Sequence, residues 1–434
     1  MALRNRTWRR PGRGSIGRAA IAGVAIVAIA GSVVALAPPT GHQAAPPLGR
    51  DGSPAPTPGS LAPLTPGHEV YGFVPYWEID DTIAAHLRAT NATTVSLFSV
   101  THTSKGAIAT SQGGYRAISG SIGRQIIADA HQAGRRVDVT WTSFGRAKND
   151  ALFKSTALQD RVIASLVALR NELGVDGIAV DVEAIGDADI PSFGAFVGRL
   201  RTALQAVDPG ATVTATTGAG PQGAALALAA TLAGADRVFL MGYDYRTASS
   251  EPGASAPISR GDGGERSIAW SLELYGATGV PVGRTLLGLP LYGLAWPTAS
   301  PDRGAPKTGG GAIWIPRRNL DTLTNPGVAA SYDPVEDVAF LAVPTGRAWQ
   351  AVYYDTPRSL RSKLGVANDL GLAGAGFWAL GYERGLPDYT ALIAEFQAGR
   401  AMTALASQPA PTSSADPLAS GVGGLRTSDP SGIP

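Results

Sequence analysis

Eight short, β-rich apolar runs punctuate the middle of this chain, and longer helical patterns separate most of them. The runs are Val70–Tyr76, Thr94–Val100, Arg136–Thr142, Gly177–Glu183, Thr212–Thr217, Arg237–Tyr243, Thr285–Leu291 and Ala375–Leu380. The helical patterns are Ser121–Ala133, Leu158–Glu172, Phe193–Ala206, Gly223–Ala233, Ser267–Tyr275 and Arg358–Leu370. Strands joined by helical crossovers make a parallel sheet. Eight of them predict an α/β chain folded as a (β/α)8 barrel. A doubly wound open sheet is the alternative, but the glycine-rich phosphate fingerprint expected after the first strand of a dinucleotide-binding sheet is missing. One connection is oversized. Between Trp296 and Tyr353 no clear helix is visible, but Ala312–Ile315, Val338–Val343 and Trp349–Tyr354 are β-like. We expect a small strand-rich insertion at about 297–352, after strand seven. It would lie on the face where βα loops build active sites.

The ends differ from the middle. Residues 1–37 hold six arginines and no acidic residue, and Ala19–Ala37 is uncharged. A basic stretch followed by an apolar one is an export pattern. Two readings fit: a cleaved signal peptide, or an uncleaved membrane anchor with residues 19–37 in the bilayer. Either places the chain outside the cytoplasm, secreted or held on the outer face of the membrane. Residues 38–67 form a Pro/Gly-rich linker, and 401–434 have the composition of a disordered tail. The expected folded unit is 68–400, read as a monomer. The formal charge of +2 rests on the N-terminal arginines, and the body is mildly acidic, which argues against a nucleic-acid partner. The absence of cysteine excludes disulfides, zinc thiolates and a cysteine nucleophile. The five histidines are scattered without metal-ligand spacing, so no metal or cofactor is expected.

The run Gly177-Ile178-Ala179-Val180-Asp181-Val182-Glu183 carries the chemistry. Side chains alternate along a strand. Ile178, Val180 and Val182 suit the helix layer, so Ala179, Asp181 and Glu183 point into the barrel. Asp181 and Glu183 are separated by a rise of about 6.6 Å, near the strand end where barrel enzymes work. Burial and mutual repulsion raise the pKa of one of two such carboxyls, which suits a general acid.

At this point the sequence resembles the chitinase-like glycoside hydrolases of family eighteen. Their fourth-strand signature is DxxDxDxE, and Asp176, Asp181 and Glu183 match its first, third and last positions. YGFVPYW (Tyr71–Trp77) looks like the family's first strand, and MGYD (Met241–Asp244) like its sixth-strand motif. LLGLPLYGLAW (Leu286–Trp296) is similar to the seventh. Tyr353–Glu383 resembles the end of the barrel, with Trp378 on the eighth strand. The resemblance implies retaining hydrolysis in which the substrate's own 2-acetamido group is the nucleophile, an exception to the two-carboxylate scheme. It implies Glu183 as acid, Asp181 as helper of the acetamido group and Tyr243 as donor to its oxygen. Asp244, Met241, Trp378, Tyr292 and Phe73 would bind the sugar, with Trp378 as floor. The implied partner is an N-acetylated polysaccharide or oligosaccharide. Closer to the groove edge, Tyr292 and Trp296 line the cleft or pack on the insertion. Phe98 reads as core and His102 as a loop residue near the mouth.

Ala179 departs from the signature. The missing aspartate shares a proton with the next one in family members that have it, so Asp181 is expected to ionise more readily here. Turnover should be reduced or altered, not lost. Spore-cortex and peptidoglycan-acting relatives are similar at this position and in the loop Ser249–Ser259. This favours a cell-envelope amino sugar slightly over crystalline chitin. The competing reading is a catalytically weak or silent, lectin-like protein on the same barrel.

Overall fold

A computed structural model describes residues 67–402, apart from 262, 263 and 265. The export-type segment, nearly all of the linker and the tail from residue 403 lie outside the described residues. The strands are β1 (Glu69–Pro75), β2 (Thr94–Thr101), β3 (Arg136–Phe144), β4 (Gly177–Glu183), β5 (Thr212–Gly218), β6 (Arg237–Met241) and β7 (Thr285–Pro290). After these come β8 (Gly293–Thr298), β9 (Ala312–Trp314), β10 (Ala329–Asp333), β11 (Val338–Thr345), β12 (Ala348–Tyr354) and β13 (Gly374–Trp378). Strands β1 to β7 and β13 close a parallel barrel in the order β1-β13-β7-β6-β5-β4-β3-β2.

Helices return the chain between the strands: α1 (Ile83–Ala89), α2 (Gly113–Ser119), α3 (Ser121–Gln132), α4 (Arg146–Phe153), α5 (Thr156–Leu173) and α6 (Ile190–Gln205). They continue as α7 (Pro221–Leu232), α8 (Ile268–Thr278), α9 (Leu320–Thr324), α10 (Pro357–Asp369) and α11 (Pro387–Gln397). The crossover before β4 shows local and global signals agreeing. The Ser155 hydroxyl caps α5 by accepting from Leu158 N at 3.2 Å, and Gly174 ends it at φ 69°. Only glycine adopts that backbone freely. The chain then enters β4 three residues later.

Alternation within the strands sorts two cores. Ile178, Val180 and Val182 join the outer layer between sheet and helices. Inside the barrel, Tyr71, Phe73, Phe98, Ala179, Phe239 and Leu286 form a separate cluster. Fully burying an aliphatic or aromatic side chain contributes about 1.5–3 kcal/mol. Phe239 fits because glycines on β7 and β13 leave room for its ring. A Cβ on Gly288 or Gly376 would come within 2.3 and 2.4 Å of its ring.

The insertion is an antiparallel five-stranded sheet in the order β10-β11-β12-β8-β9. It differs from the expected segment in two ways. It starts at Gly293 and ends at Tyr354, because β8 continues almost directly from β7, and it contains the short helix α9. A five-residue helix is too short to show periodicity in the sequence. Trp296, a candidate groove residue, is fully buried and packs on Tyr353 with ring centroids 6.2 Å apart.

A buried acid ties insertion and barrel together. Glu78 follows β1 and is fully buried. It accepts from Arg384, after β13, at 2.5 Å, and meets Arg317 and Arg318 of the insertion at 3.1 and 3.0 Å. Removing one member of a buried ionic group leaves uncompensated charge, at about 3–5 kcal/mol. Glu78→Gln should therefore lower unfolding free energy by about that amount in urea titration. A change below about 1 kcal/mol contradicts this account.

Candidate active site

The carboxylates sit where β4 ends at the open mouth of the barrel. β4 pairs with β3 through to Phe144↔Glu183, but with β5 only as far as Asp181↔Thr216. Asp181 is therefore enclosed on both sides, and 5% of it is exposed. Glu183 stands at the rim and is exposed. The Thr216 hydroxyl donates to Asp181 Oδ1 at 2.5 Å. Ala184 follows Glu183 at φ 61°, a backbone that costs a non-glycine residue about 1–2 kcal/mol.

The second half of the site comes from the loop after β6. Tyr243 and Asp244 lie two and three residues beyond Met241, which ends that strand, and Asp244 takes φ 60°. The Asp244 N–H donates to Ser255 Oγ at 3.0 Å, and the Tyr292 hydroxyl donates to Asp244 Oδ1. Tyr243 packs edge-on to Tyr292 at 6.1 Å. Residue 246 anchors this loop to the insertion: Arg246 pairs with Glu336 at 2.6 Å, and Glu336 accepts the Ala254 N–H at 2.9 Å.

Trp378 ends β13 and forms the apolar floor. It meets Phe98 edge-on at 4.6 Å, Phe73 at 5.8 Å and Trp77 at 6.4 Å. Trp77 Nε1 donates to the Tyr382 hydroxyl at 3.2 Å. The peptides Phe98–Ser99 and Trp378–Ala379 are cis.

Electrostatics couple these groups. Burial pushes the Asp181 carboxyl up to about 8; Glu183 adds to the rise and the Thr216 bond opposes it. Although its side chain reaches solvent at the rim, the protein crowded around Glu183 desolvates its carboxyl and raises it, with Asp244 adding to the effect. Asp244 is raised by burial against the pull of its bonds from Tyr292 and Ser255. The Tyr243 hydroxyl is held firmly protonated by burial and by Asp244, Asp181 and Glu183. A carboxyl that keeps its proton near neutral pH can protonate a leaving group, and a tyrosine hydroxyl that bonds no described residue can donate to a substrate oxygen.

The structure gathers Asp181, Glu183, Tyr243, Asp244, Met241 and Trp378 around one mouth, and it corrects other expectations. Phe73 is 2% exposed and lies in the aromatic layer with Trp378, Tyr71, Phe98 and Phe239. It supports the floor and does not face a ligand. Tyr292 is 4% exposed and spends its hydroxyl on Asp244, so it orients that acid from behind. Asp176 lies at the other end of β4, accepting from Val137 N at 2.7 Å and pairing with His131 at 2.9 Å. Its part in the motif is to hold strands. Phe98 is core, as expected. His102 is buried on Trp141 at 5.4 Å, and burial with the nearby Lys148 charge holds it neutral, down at about 4. Ala179 leaves Asp181 without a like charge below it, yet burial still holds the Asp181 carboxyl well above the ordinary carboxylate range.

Three participants escaped the sequence reading. Phe144, 40% exposed, is paired in register with Glu183 and presents an apolar ring at the rim. Asp138 lies inside the barrel, 1% exposed, accepting from the Tyr71 hydroxyl at 2.7 Å, with its carboxyl pushed by burial to about 6. Inward alternation on β3 was a signal for Asp138. Asn149 bonds the Glu183 backbone, and nothing in the local pattern announced it.

Known proteins resemble this chain in sequence and in fold. The model of Glycosyl hydrolases family 18 matches residues 69–383. Di-N-acetylchitobiase of Rattus norvegicus is 25% identical over 292 residues, 60% of this chain and 74% of that protein. The C-terminal domain of a putative chitinase from Desulfitobacterium hafniense DCB-2 superposes with a TM-score of 0.63 at 21% identity, over 76% of this chain and 99% of that one. The Bacillus cereus spore cortex-lytic enzyme SleL gives 0.62 at 17%, over 76% and 74%.

Raised carboxyl pKa values have a sign in stability. A carboxyl with a raised folded-state pKa contributes stability that is complete below its unfolded value near 4. That contribution is lost as pH rises through the folded value, here about 8. Asp181→Asn removes the loss. The variant's unfolding free energy relative to wild type should rise between pH 4.5 and 8.5, by up to about 1.4 kcal/mol per pH unit. A pH-independent difference would show that Asp181 is ionised throughout.

Proposed function

Because the chain belongs to glycosyl hydrolases family 18, we propose that it hydrolyses β-1,4-linked N-acetylglucosamine-containing glycans with retention, using the substrate's acetamido group as nucleophile. The observation that carries this is the pairing of a rim-exposed Glu183, its pKa raised, with a buried Asp181 and a Tyr243 hydroxyl that bonds no described residue, beside the Trp378 floor.

The sugar to be cleaved rests on Trp378. Its acetamido oxygen, held by the Tyr243 hydroxyl, attacks the anomeric carbon. Asp181 accepts the acetamido N–H and so stabilises the oxazolinium-like intermediate. As the bond to the leaving oxygen breaks, Glu183 transfers its proton to that oxygen. The resulting carboxylate then takes a proton from the water that opens the intermediate, which restores the acid. Asp244 holds the same sugar. Asp181 must give up its own proton or turn its carbonyl oxygen to the amide, and its raised pKa makes this step costly near neutral pH. Burial sets that cost, and in this way it slows turnover near neutral pH.

For the natural substrate we favour cell-envelope amino-sugar chains over crystalline chitin. Support comes from the non-acidic residue 179 and from the loop Ser249–Ser259. The basic and apolar start of the chain supports export, secreted or anchored. The second reading, a lectin-like protein, has Ala179 as its observation.

The full-length protein should release fluorophore from a fluorogenic chitotrioside, and Glu183→Gln should lower that rate at least about 100-fold. Sugar binding without release above the variant's level establishes the lectin reading instead. Mass analysis of peptidoglycan and chitin digests decides the substrate: muropeptide fragments in excess of chitin oligomers are the expected result.

A further inference from the structure

Glu183 has an unusual freedom for a group that must place a proton. Its carboxyl makes no hydrogen bond to any described residue. The β5 ladder has already ended two residues earlier, and the backbone turns away at Ala184. What fixes its direction must therefore act on its main chain.

Two donors meet the Glu183 carbonyl. Asn149 Nδ2 donates to it at 2.5 Å, and Gly145 N at 3.3 Å. Asn149 lies in the first turn of α4 and is fully buried. Its amide cannot turn over, because Ser143 Oγ, also fully buried, donates to Asn149 Oδ1 at 2.6 Å. That bond makes Oδ1 the acceptor and leaves Nδ2 facing Glu183. Ser143 belongs to β3, where it pairs with Val182 in register. The chain Ser143–Asn149–Glu183 thus replaces, on the rim, the strand pairing that β5 no longer supplies. Asparagine is a poor helix former and an expensive residue to bury. Packing alone would favour an aliphatic residue there.

We propose that Asn149, oriented by Ser143, is a positioning residue that sets the direction of the general acid. The inference rests on Glu183 having that role. It reaches beyond it by assigning alignment of the acid to the β3–α4 junction. A misplacement near 1 Å can cost about 100-fold in rate, and the loss depends on how much the leaving group needs a proton. A sugar alkoxide needs it fully, and an activated aryl oxide much less.

The test compares full-length wild type and variants on chitopentaose, with a sugar leaving group, and on an aryl chitobioside with an acidic leaving group. For Asn149→Ala we expect kcat to fall about 30-fold or more on the first and about 3-fold on the second, with KM within twofold on both. Ser143→Ala keeps the amide but frees its orientation, and should show the same asymmetry at smaller amplitude. Equal losses on both substrates, or a loss confined to KM, overturn the proposal. A second readout is independent of catalysis and of the Asn149→Ala fold. In full-length protein with labelled asparagine, the Asn149 side-chain amide should exchange far more slowly than those of exposed Asn171 and Asn325. Equally fast exchange overturns the clamp. Should wild type cleave neither substrate, the hydrolase reading fails, while the exchange measurement still decides whether the clamp exists.

Discussion

The arrangement at the barrel mouth depends on the cost of enclosing Asp181. A closed barrel turns alternate side chains inward, and β4 turns Asp181 into a space walled by β3 and β5, with one strong donor, Thr216, to offset the lost hydration. Burial alone moves a carboxyl by several pH units, and one hydroxyl does not cancel that. The proton demand then spreads to its neighbours. Glu183 at the rim feels Asp244, and Tyr243 is hemmed by all three acids. The carboxyls titrate as a set, and the proton needed for chemistry belongs to the set before it belongs to Glu183.

A proton in the right place is useful only above a floor that does not yield. Trp378 rests on Phe73 and Phe98, and Phe73 on Tyr71 and Phe239, in tilted and edge-on contacts between 4.6 and 6.5 Å. Phe239 in turn fills space that Gly288 and Gly376 leave open. The walls are tied by charge. Arg246 and Glu336 bind the β6 loop to the insertion, and Glu78 binds the exits of β1 and β13 to it. Arg246, Glu336, Glu78 and Arg384 are buried, while Arg317 and Arg318 reach the solvent.

Much of this was legible in the sequence because period-two alternation is local. The strands, the inward face of β4 and the grouping of Asp181, Glu183, Tyr243, Asp244 and Trp378 follow from pattern and motif order. Depth along a strand is not local. Phe73 and Trp378 both point inward, but only closure of the barrel decides which one covers the other. Tyr292 likewise looks like a cleft residue until Asp244 is folded over it. Asn149 sits in an eight-residue helix, and its partner is 34 positions away, so no periodicity could reveal its purpose. β10 and α9 were missed for their shortness, and β8 because it follows β7 with only two residues between.

The alanine at 179 shows how far a neighbour can stand in for a missing group. Around it lie Thr140 and Thr214 on the flanking strands, Ser96 bonded to Thr140 at 2.8 Å, and the Tyr71 hydroxyl in the same inner cluster. The nearest extra carboxyl is Asp138. It pairs in register with Gly177, two residues below Ala179 and four below Asp181, a rise of about 13 Å. Its bond is to Tyr71, and the charges that act on it, Arg136, Asp176 and Glu69, belong to the closed end. Asp138 therefore serves the interior and does not supply the mouth. The polar rung at 179 consists of hydroxyls, which accept and donate but hold no charge. Among the described residues Asp181 has no acidic partner on that rung, and the carboxyl that acts on it, Glu183, lies above it at the rim.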